Sequence, residues 1–359
     1  MKKVIIEVVQ NLSQGGIEVL VLTMFAHARL DEEMHLVSLE QTYQSAVANW
    51  PRLKEIPRDR LHFLNKAPGW SISCMVKIIQ LIRQLHADVI HAHHIGPLFY
   101  AGLAAVWCKV PVRIYTEHDV WHLDSIKHRY LQRFLFSIVK PRIAVISQQM
   151  AIDLQHTFSY KNIQVIYNGV DVEWFAPGSQ SVAQEQLGLS PKQLWIGSAG
   201  RLVDVKGQDR LMHALTQLPL PWSLVFAGQG PQLPYLRELA KELKIEARCV
   251  FLGTIDTMPL FYQAIDLFCL PSLAEGMPLA ILEAQACSKP VVTTNVGGAS
   301  EALCPKTGRK VPPNDPQALT HAILERYATP LEANPREFVV TERSIDKMMT
   351  AYRKLMGHL

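Results

Sequence analysis

Two cations and two carboxylates stand out by their spacing. Arg201 and Lys206 lie in "AGRLVDVKGQD", directly after the apolar run "LWIGS" and between glycines. Some seventy residues on, "LAEGMPLAILEAQA" places Glu275 and Glu283 on either side of a Gly-Met-Pro turn. A forked guanidinium on one side and a point-charge ammonium on the other can hold a diphosphate whose charge grows as it leaves. Proline at 278 suits the first position of a helix, which puts Glu275 and Gly276 in the preceding loop and Glu283 inside the helix. A carboxylate in that loop accepts hydrogen bonds from sugar hydroxyls, while backbone N–H groups from Met277 to Leu279 face the same ligand. Glu283 stands among Leu282, Ala284 and Ala286 with no sequence-local partner, and a ribose diol would satisfy it. The plain alternatives are a solvated surface pair for the cations and a salt bridge elsewhere in the fold for Glu283.

Two further stretches can do chemistry. Ser13-Gln14-Gly15-Gly16 follows the first apolar run and precedes a helical segment, so backbone N–H groups at Gly15 and Gly16 can approach an anion; tight-turn packing explains the glycine pair equally well. "VIHAHHIG" puts His91, His93 and His94 at a strand end, where a metal would need a further ligand that the sequence does not name. Hydrogen-bonded histidines are the simpler account, with His93 a candidate for handling an acceptor. "GQGPQL" lacks the third glycine of the dinucleotide fingerprint, since position 233 is leucine, and its Pro231 suits a first helical turn. A Rossmann dehydrogenase is therefore disfavoured.

These residues need elements to carry them, and the whole chain alternates strands with helices. The first half reads as strands "KVIIEVV", "HLVSLE", "LHFL", "DVIHAH", "VRIYTEH", "RIAVIS" and "IQVIYN". The pattern restarts at "LWIGSAG" and continues through "WSLVFAG", "CVFLG", "LFCLPS" and "PVVTTN". Two doubly wound α/β domains in tandem follow, with ligands expected beyond the carboxyl ends of the strands, in a cleft where the domains face each other. "YNGVDVEWFAPGSQSVAQ" is the boundary, giving domains at 1–170 and 171–340. The final segment 341–359 reads as a helix with Met348, Ala351, Tyr352 and Leu355 near one face.

At 359 residues, 48% hydrophobic and 19% charged, the composition is that of a globular protein with room for two cores. Glu7 interrupts the first apolar run, which therefore reads as a strand rather than a signal peptide. No apolar stretch is long enough for a membrane span. Six scattered cysteines suit reduced thiols in a cytoplasmic protein. Residues 1–167 hold 18 Lys and Arg against 13 Asp and Glu, whereas the remainder holds 18 against 19. That basic first half suits an anionic acceptor or a membrane surface, and no nucleic-acid-binding pattern accompanies it.

"GRLVDVKG", "GQGPQL", "FLG", "AEGMPLAILEAQA" and "VVTTNVGG", in this order, resemble the retaining glycosyltransferases of family 4, which have the GT-B fold. "NGVD" at 168–171, "SQGGIE" and "TEHD" at 116–119 are similar to that family as well. The resemblance implies that Arg201 and Lys206 bind the donor diphosphate. It implies that Glu275 with Gly276, Met277, Pro278 and Leu279 contacts the donor sugar, and that Glu283 takes the ribose. Gly15 and Gly16 would approach the phosphates, Thr254 of "FLGTID" would lie by the donor, and His118 would lie close to the transferred sugar. It also implies that the C-terminal helix crosses back to the N-terminal domain.

No D-x-D motif offers a divalent metal to the diphosphate, so Arg201, Lys206 and helix-end N–H groups are expected to neutralise the leaving group without metal or other cofactor. The expected partners are a UDP- or GDP-sugar and a glycan or lipid-linked acceptor, with no nucleic acid. The expected place is the cytoplasm or the inner face of its membrane, in surface-polysaccharide or lipid-linked glycan assembly. A nucleotide-sugar epimerase of similar fold and a non-catalytic nucleotide-sugar module are the competing readings.

Overall fold

Strands buried on both faces send alternate side chains to two different cores. In the first strand Ile6 and Val8 pack with Cys74, Ile78 and Ala101, whereas Val9 packs with Val21, Leu22 and Ala46. Helices therefore cover both sides of the sheet. The computed structural model describes residues 2–160 and 162–357. The chain forms two compact units, Met1–Asn168 with Ile345–Leu359, and Gly169–Ser344.

The first unit holds β1 (Lys3–Val9), β2 (Glu32–Ser38), β3 (Leu61–Phe63), β4 (Val89–His93), β5 (Val112–Glu117), β6 (Arg142–Val145) and β7 (Ile163–Val165). Their order is β3-β2-β1-β4-β5-β6-β7, and every pairing is parallel. The second unit holds β8 (Leu194–Ala199), β9 (Trp222–Ala227), β10 (Cys249–Gly253), β11 (Leu267–Leu270), β12 (Val291–Thr294) and β13 (Arg309–Val311). They are ordered β10-β9-β8-β11-β12-β13, again all parallel. Each sheet thus reverses its direction of growth once, between β1 and β4 and between β8 and β11. Loops leave such a point in opposite directions and open a crevice at the strands' carboxyl ends.

Several boundaries differ from the sequence reading. The second strand begins at Glu32 rather than His35, because Arg353 on the last helix holds the buried Glu32 carboxylate through two hydrogen bonds of 2.8 and 2.9 Å. That partner is 321 residues away along the chain. The sequence reading also missed β13, a short charged strand at the sheet edge, where charge discourages further pairing. Pro231 lies in a turn and not in a helix. The backbones of Gln229 and Gln232 pair with Leu202, so the helix starts only at Leu233, with Pro234 in its first turn. Pro278 is extended (φ −71°, ψ 120°) and caps a helix that begins at Leu279. The segment from 341 contains the end of one helix (Pro335–Glu342) and a second helix (Ile345–Leu355); residues 358 and 359 lie outside the described residues. Met348, Met349 and Tyr352 of that last helix are buried, and Lys3 Nζ donates to the Met356 carbonyl at 3.1 Å, tying it to β1. Among the described residues no helix is long and apolar enough to cross a membrane.

Candidate functional site

Both crevice regions carry the polar residues singled out above. In the second unit β8 runs into a loop with Arg201, a single 3-10 turn (Asp204–Lys206), and a helix (Gln208–Gln217). β11 runs into 271–278 and then the helix Leu279–Ala286. The two loops are joined by backbone, Leu273 N–H donating to the Val205 carbonyl at 2.7 Å. Gly207 has φ +66°, and a Cβ there would sit 2.2 Å from the Pro271 carbonyl oxygen. Only glycine allows this approach, which explains the glycine immediately after Lys206.

The result is a direct pairing of two predicted residues. Lys206 Nζ donates to Glu275 Oε1 at 2.6 Å, and the Ser272 hydroxyl donates to the same oxygen at 2.6 Å. Gly297 of "NVGG" has φ +46° and leaves no room for a Cβ beside the Glu275 backbone. Arg201 is exposed and enters no ion pair among the described residues. The turn therefore presents one open guanidinium and one ammonium balanced by a nearly enclosed carboxylate. An incoming diphosphate would take Lys206 from Glu275, and the carboxylate would then be free for hydroxyls.

Glu283 is not without a partner. The buried Tyr262 donates its hydroxyl to Glu283 Oε2 at 2.6 Å, so neither a salt bridge nor a bare charge describes it. Burial raises the Glu283 carboxyl to about 7, and the Tyr262 hydrogen bond only partly opposes this. Gly276 and Leu279 are partly exposed beside Glu275, while Met277 and Pro278 are buried; Thr254 is exposed just beyond β10, the sheet's outer strand.

In the first unit Gly15 caps the helix Gly16–Ala26, and no side chain caps its free N–H groups. A Cβ at Gly16 would meet nothing within 4 Å, and one at Gly15 would meet only the Glu18 side chain. Tight packing against the protein is thus not what calls for glycine here. His118 follows β5 and is 5% exposed. It joins a set of histidines on one face of the three central strands. Glu7 pairs in register with His91, and His93 with Thr116, so that period-two alternation brings Glu7, His91, His93, Thr116 and His118 together. The residue that the histidine stretch lacked in sequence is Glu7. The ligand-type atoms of Glu7, His91 and His93 lie within 4.8 Å of one another, a set that could enclose a cation.

The sequence reading missed the opposite face of β5. Glu117 Oε2 accepts from the Tyr115 hydroxyl at 2.6 Å and from Gln132 at 2.9 Å. His94 and His122 approach Glu117 and Asp119 at 3.5 to 3.7 Å. Burial lowers the His122 imidazole, but Asp119, Glu117 and Gln132 outweigh it and push it up to about 9. His94, just past the end of β4, has a positive φ of 72°. Only the acid spacing in "TEHD" could have signalled this cluster.

Comparison with known proteins agrees with the fold. Residues 1–174 match the Glycosyltransferase Family 4 model, and residues 179–337 match Glycosyl transferases group 1. D-inositol 3-phosphate glycosyltransferase of Mycobacterium sp. (strain JLS) is 36% identical over 239 residues, which cover 60% of this chain and 53% of that protein. The chain spans about half the length of the curated relatives it matches. Among solved structures, a glycosyltransferase from Rickettsia africae has a TM-score of 0.83 at 22% identity, covering 100% of both chains. HepE of Anabaena in complex with UDP-glucose has a TM-score of 0.83 at 22% identity, covering 99% of this chain and 100% of HepE. With two consecutive family domains on two Rossmann-like parallel sheets, the chain belongs to the family 4 glycosyltransferases of GT-B fold.

Proposed function

We propose that the chain transfers a sugar, with retention and without a divalent metal, from a nucleoside diphosphate sugar to a hydroxyl of a glycan or lipid-linked acceptor. The observation that carries this reading is the pairing of Lys206 with Glu275 beside an open Arg201, at the reversal point of the second sheet. Arg201 and Lys206 stabilise the departing diphosphate, and Glu275 accepts from sugar hydroxyls once Lys206 has turned to phosphate. Backbone from Gly276 to Leu279 and Thr254 line the donor, Glu283 receives the ribose diol, and Gly15 and Gly16 admit phosphate to the first helix N-terminus. The acceptor oxygen bonds to the anomeric carbon on the face from which the phosphate oxygen leaves, and its proton passes to that departing oxygen. No enzymic nucleophile is needed. HepE was solved with UDP-glucose, which makes that donor the first to test.

The test is transfer from an α-linked UDP- or GDP-sugar in excess EDTA, with the anomeric coupling constant of the product read by NMR. An α-product formed at an undiminished rate is expected. A β-product overturns retention, loss of activity in EDTA overturns metal independence, and a changed donor sugar without acceptor identifies an epimerase.

The same reading places the chain in the cytoplasm, at the membrane's inner face. Its support is the helix Ile126–Val139, whose Leu135, Phe136 and Val139 are buried while Ile126, Tyr130, Phe134 and Ile138 are exposed on successive turns. Between 126 and 142 stand Lys127, Arg129, Arg133, Lys140 and Arg142, with no Asp or Glu. An apolar stripe flanked by cations suits an anionic lipid surface, at about 1 kcal/mol per cation. Co-sedimentation with phosphatidylglycerol-containing vesicles, lost in Tyr130→Ser/Phe134→Ser, is expected. Failure of the native chain to bind them overturns the contact.

A further inference from the structure

A line of hydrogen bonds leads from a carboxylate sealed in the first sheet to His118. His93 Nε2 lies 2.8 Å from Glu7 Oε2, and His93 Nδ1 lies 2.8 Å from His118 Nε2. Glu7 is 0% exposed and His93 1%. On its other side the same Glu7 oxygen lies 2.8 Å from His91 Nδ1, while His91 Nε2 is 2.7 Å from the Thr116 hydroxyl. Thr116 in turn stands 3.1 Å from the Tyr352 hydroxyl on the last helix. Among the described residues His91 Nδ1 and Glu7 Oε1 are buried without a hydrogen-bond partner, so the carboxylate's hydrogen bond runs to His93, and His91 stands beside it as a close neighbour.

With Glu7 ionised and His93 neutral, such a line leaves one choice of tautomer. An ionised carboxylate only accepts, so His93 carries its proton on Nε2 and, when neutral, offers a bare Nδ1. A bare nitrogen only accepts, so His118 carries its proton on Nε2 and keeps its lone pair on Nδ1. The charge states fit this arrangement. Burial pushes Glu7 up, but His91 and His93 beside it outweigh burial and hold it at about 2. Burial lowers His93 to about 4 and holds His118 well below the usual imidazole range. Among the described residues His118 Nδ1 has no protein hydrogen-bond partner.

We infer that Glu7 and His93 are positioning residues that fix His118 as a hydrogen-bond acceptor, so that its Nδ1 receives the hydroxyl of a sugar rather than a carbonyl or phosphate oxygen. The identity of the ligand rests on the function proposed above; the tautomer does not. A buried charge is expensive to keep where apolar side chains would serve the strands, and a network that orients one imidazole at the strand end gives it a use. A cation held by Glu7, His91 and His93 would occupy His93 Nε2. It would force the proton to His93 Nδ1 and invert His118, so the two accounts predict opposite tautomers.

The experiment is a long-range proton–nitrogen correlation spectrum of the full chain carrying nitrogen-15 histidine, at pH 7, with metal content measured on the same sample. His118 is expected with Nε2 protonated and Nδ1 bare, in metal-free protein. The inverted tautomer, or zinc bound one per chain, overturns the inference whether or not sugar transfer is ever observed. Glu7→Gln, whose carboxamide can present a donor to His93, should give mixed His118 tautomers. Its kcat should fall on the order of 10²-fold while KM for the donor stays within about twofold. Glu7→Asp keeps the charge and should recover most of the rate. If Glu7→Gln folds and leaves both spectrum and kcat unchanged, the positioning role is wrong; if it does not fold, His93→Gln carries the same two readouts.

Discussion

The two units share one sheet design and use it differently. In the first, the polar residues lie within the strands: Glu7 on β1, His91 and His93 on β4, Thr116 on β5, all buried, with Glu7 bonded to His93 and His91 to Thr116. In the second, β8 and β11 are largely apolar and the polar residues lie on loops just beyond them, with Arg201 open and Lys206 paired to Glu275. Residues on strands are held by backbone pairing on both sides and can fix a proton's position. Residues on loops keep partners they can exchange, which suits a ligand whose charge changes during reaction.

The sharpest way to break this comparison is to remove one cation at a time. Arg201→Ala is expected to lower turnover on the order of 10²-fold with no change in Tm, because Arg201 has no ion pair to lose. Lys206→Ala should lower turnover equally and also lower Tm, since it strands the nearly enclosed Glu275. Turnover by Lys206→Ala close to native, at saturating donor, would remove the second unit's loops from the chemistry.

A smaller effect separates the two glutamates. Glu283→Ala should weaken nucleoside diphosphate binding in calorimetry, whereas Glu275→Ala should damage transfer and leave that binding intact, because it frees Lys206 for phosphate. The Glu283 carboxyl, raised to about 7, binds a diol best when ionised. Affinity should therefore weaken as pH falls below 7, approaching about tenfold per pH unit, and Glu283→Gln should abolish the slope. Equal losses in both alanine variants would end the division of labour.

The smallest effect concerns His122, whose imidazole is raised to about 9 by Asp119, Glu117 and Gln132 against the pull of burial. A raised folded value means stability that is complete below the unfolded value near 6.5 and is lost as pH rises through about 9. His122→Gln should cost about 2 kcal/mol at pH 6, and the difference in Tm should close by pH 10. A constant difference would mean that packing, not charge, ties Glu117 and Asp119 to this face.

The alternation of apolar runs, the strand-end positions of Arg201, Lys206 and Glu275, and the glycines around them were legible in the sequence. Each depends on neighbours a few residues away: a buried parallel strand must be apolar, and a loop that approaches another backbone must carry glycine. What the sequence could not supply were partners remote along the chain. The start of β2 depends on Arg353, Lys206 meets Glu275 across 69 residues, Glu283 finds Tyr262, and Glu7 completes a histidine cluster 84 to 111 residues away. Strand order decided these pairings, because the register that sets Glu7 opposite His91 is a property of β1 beside β4 and of neither strand alone.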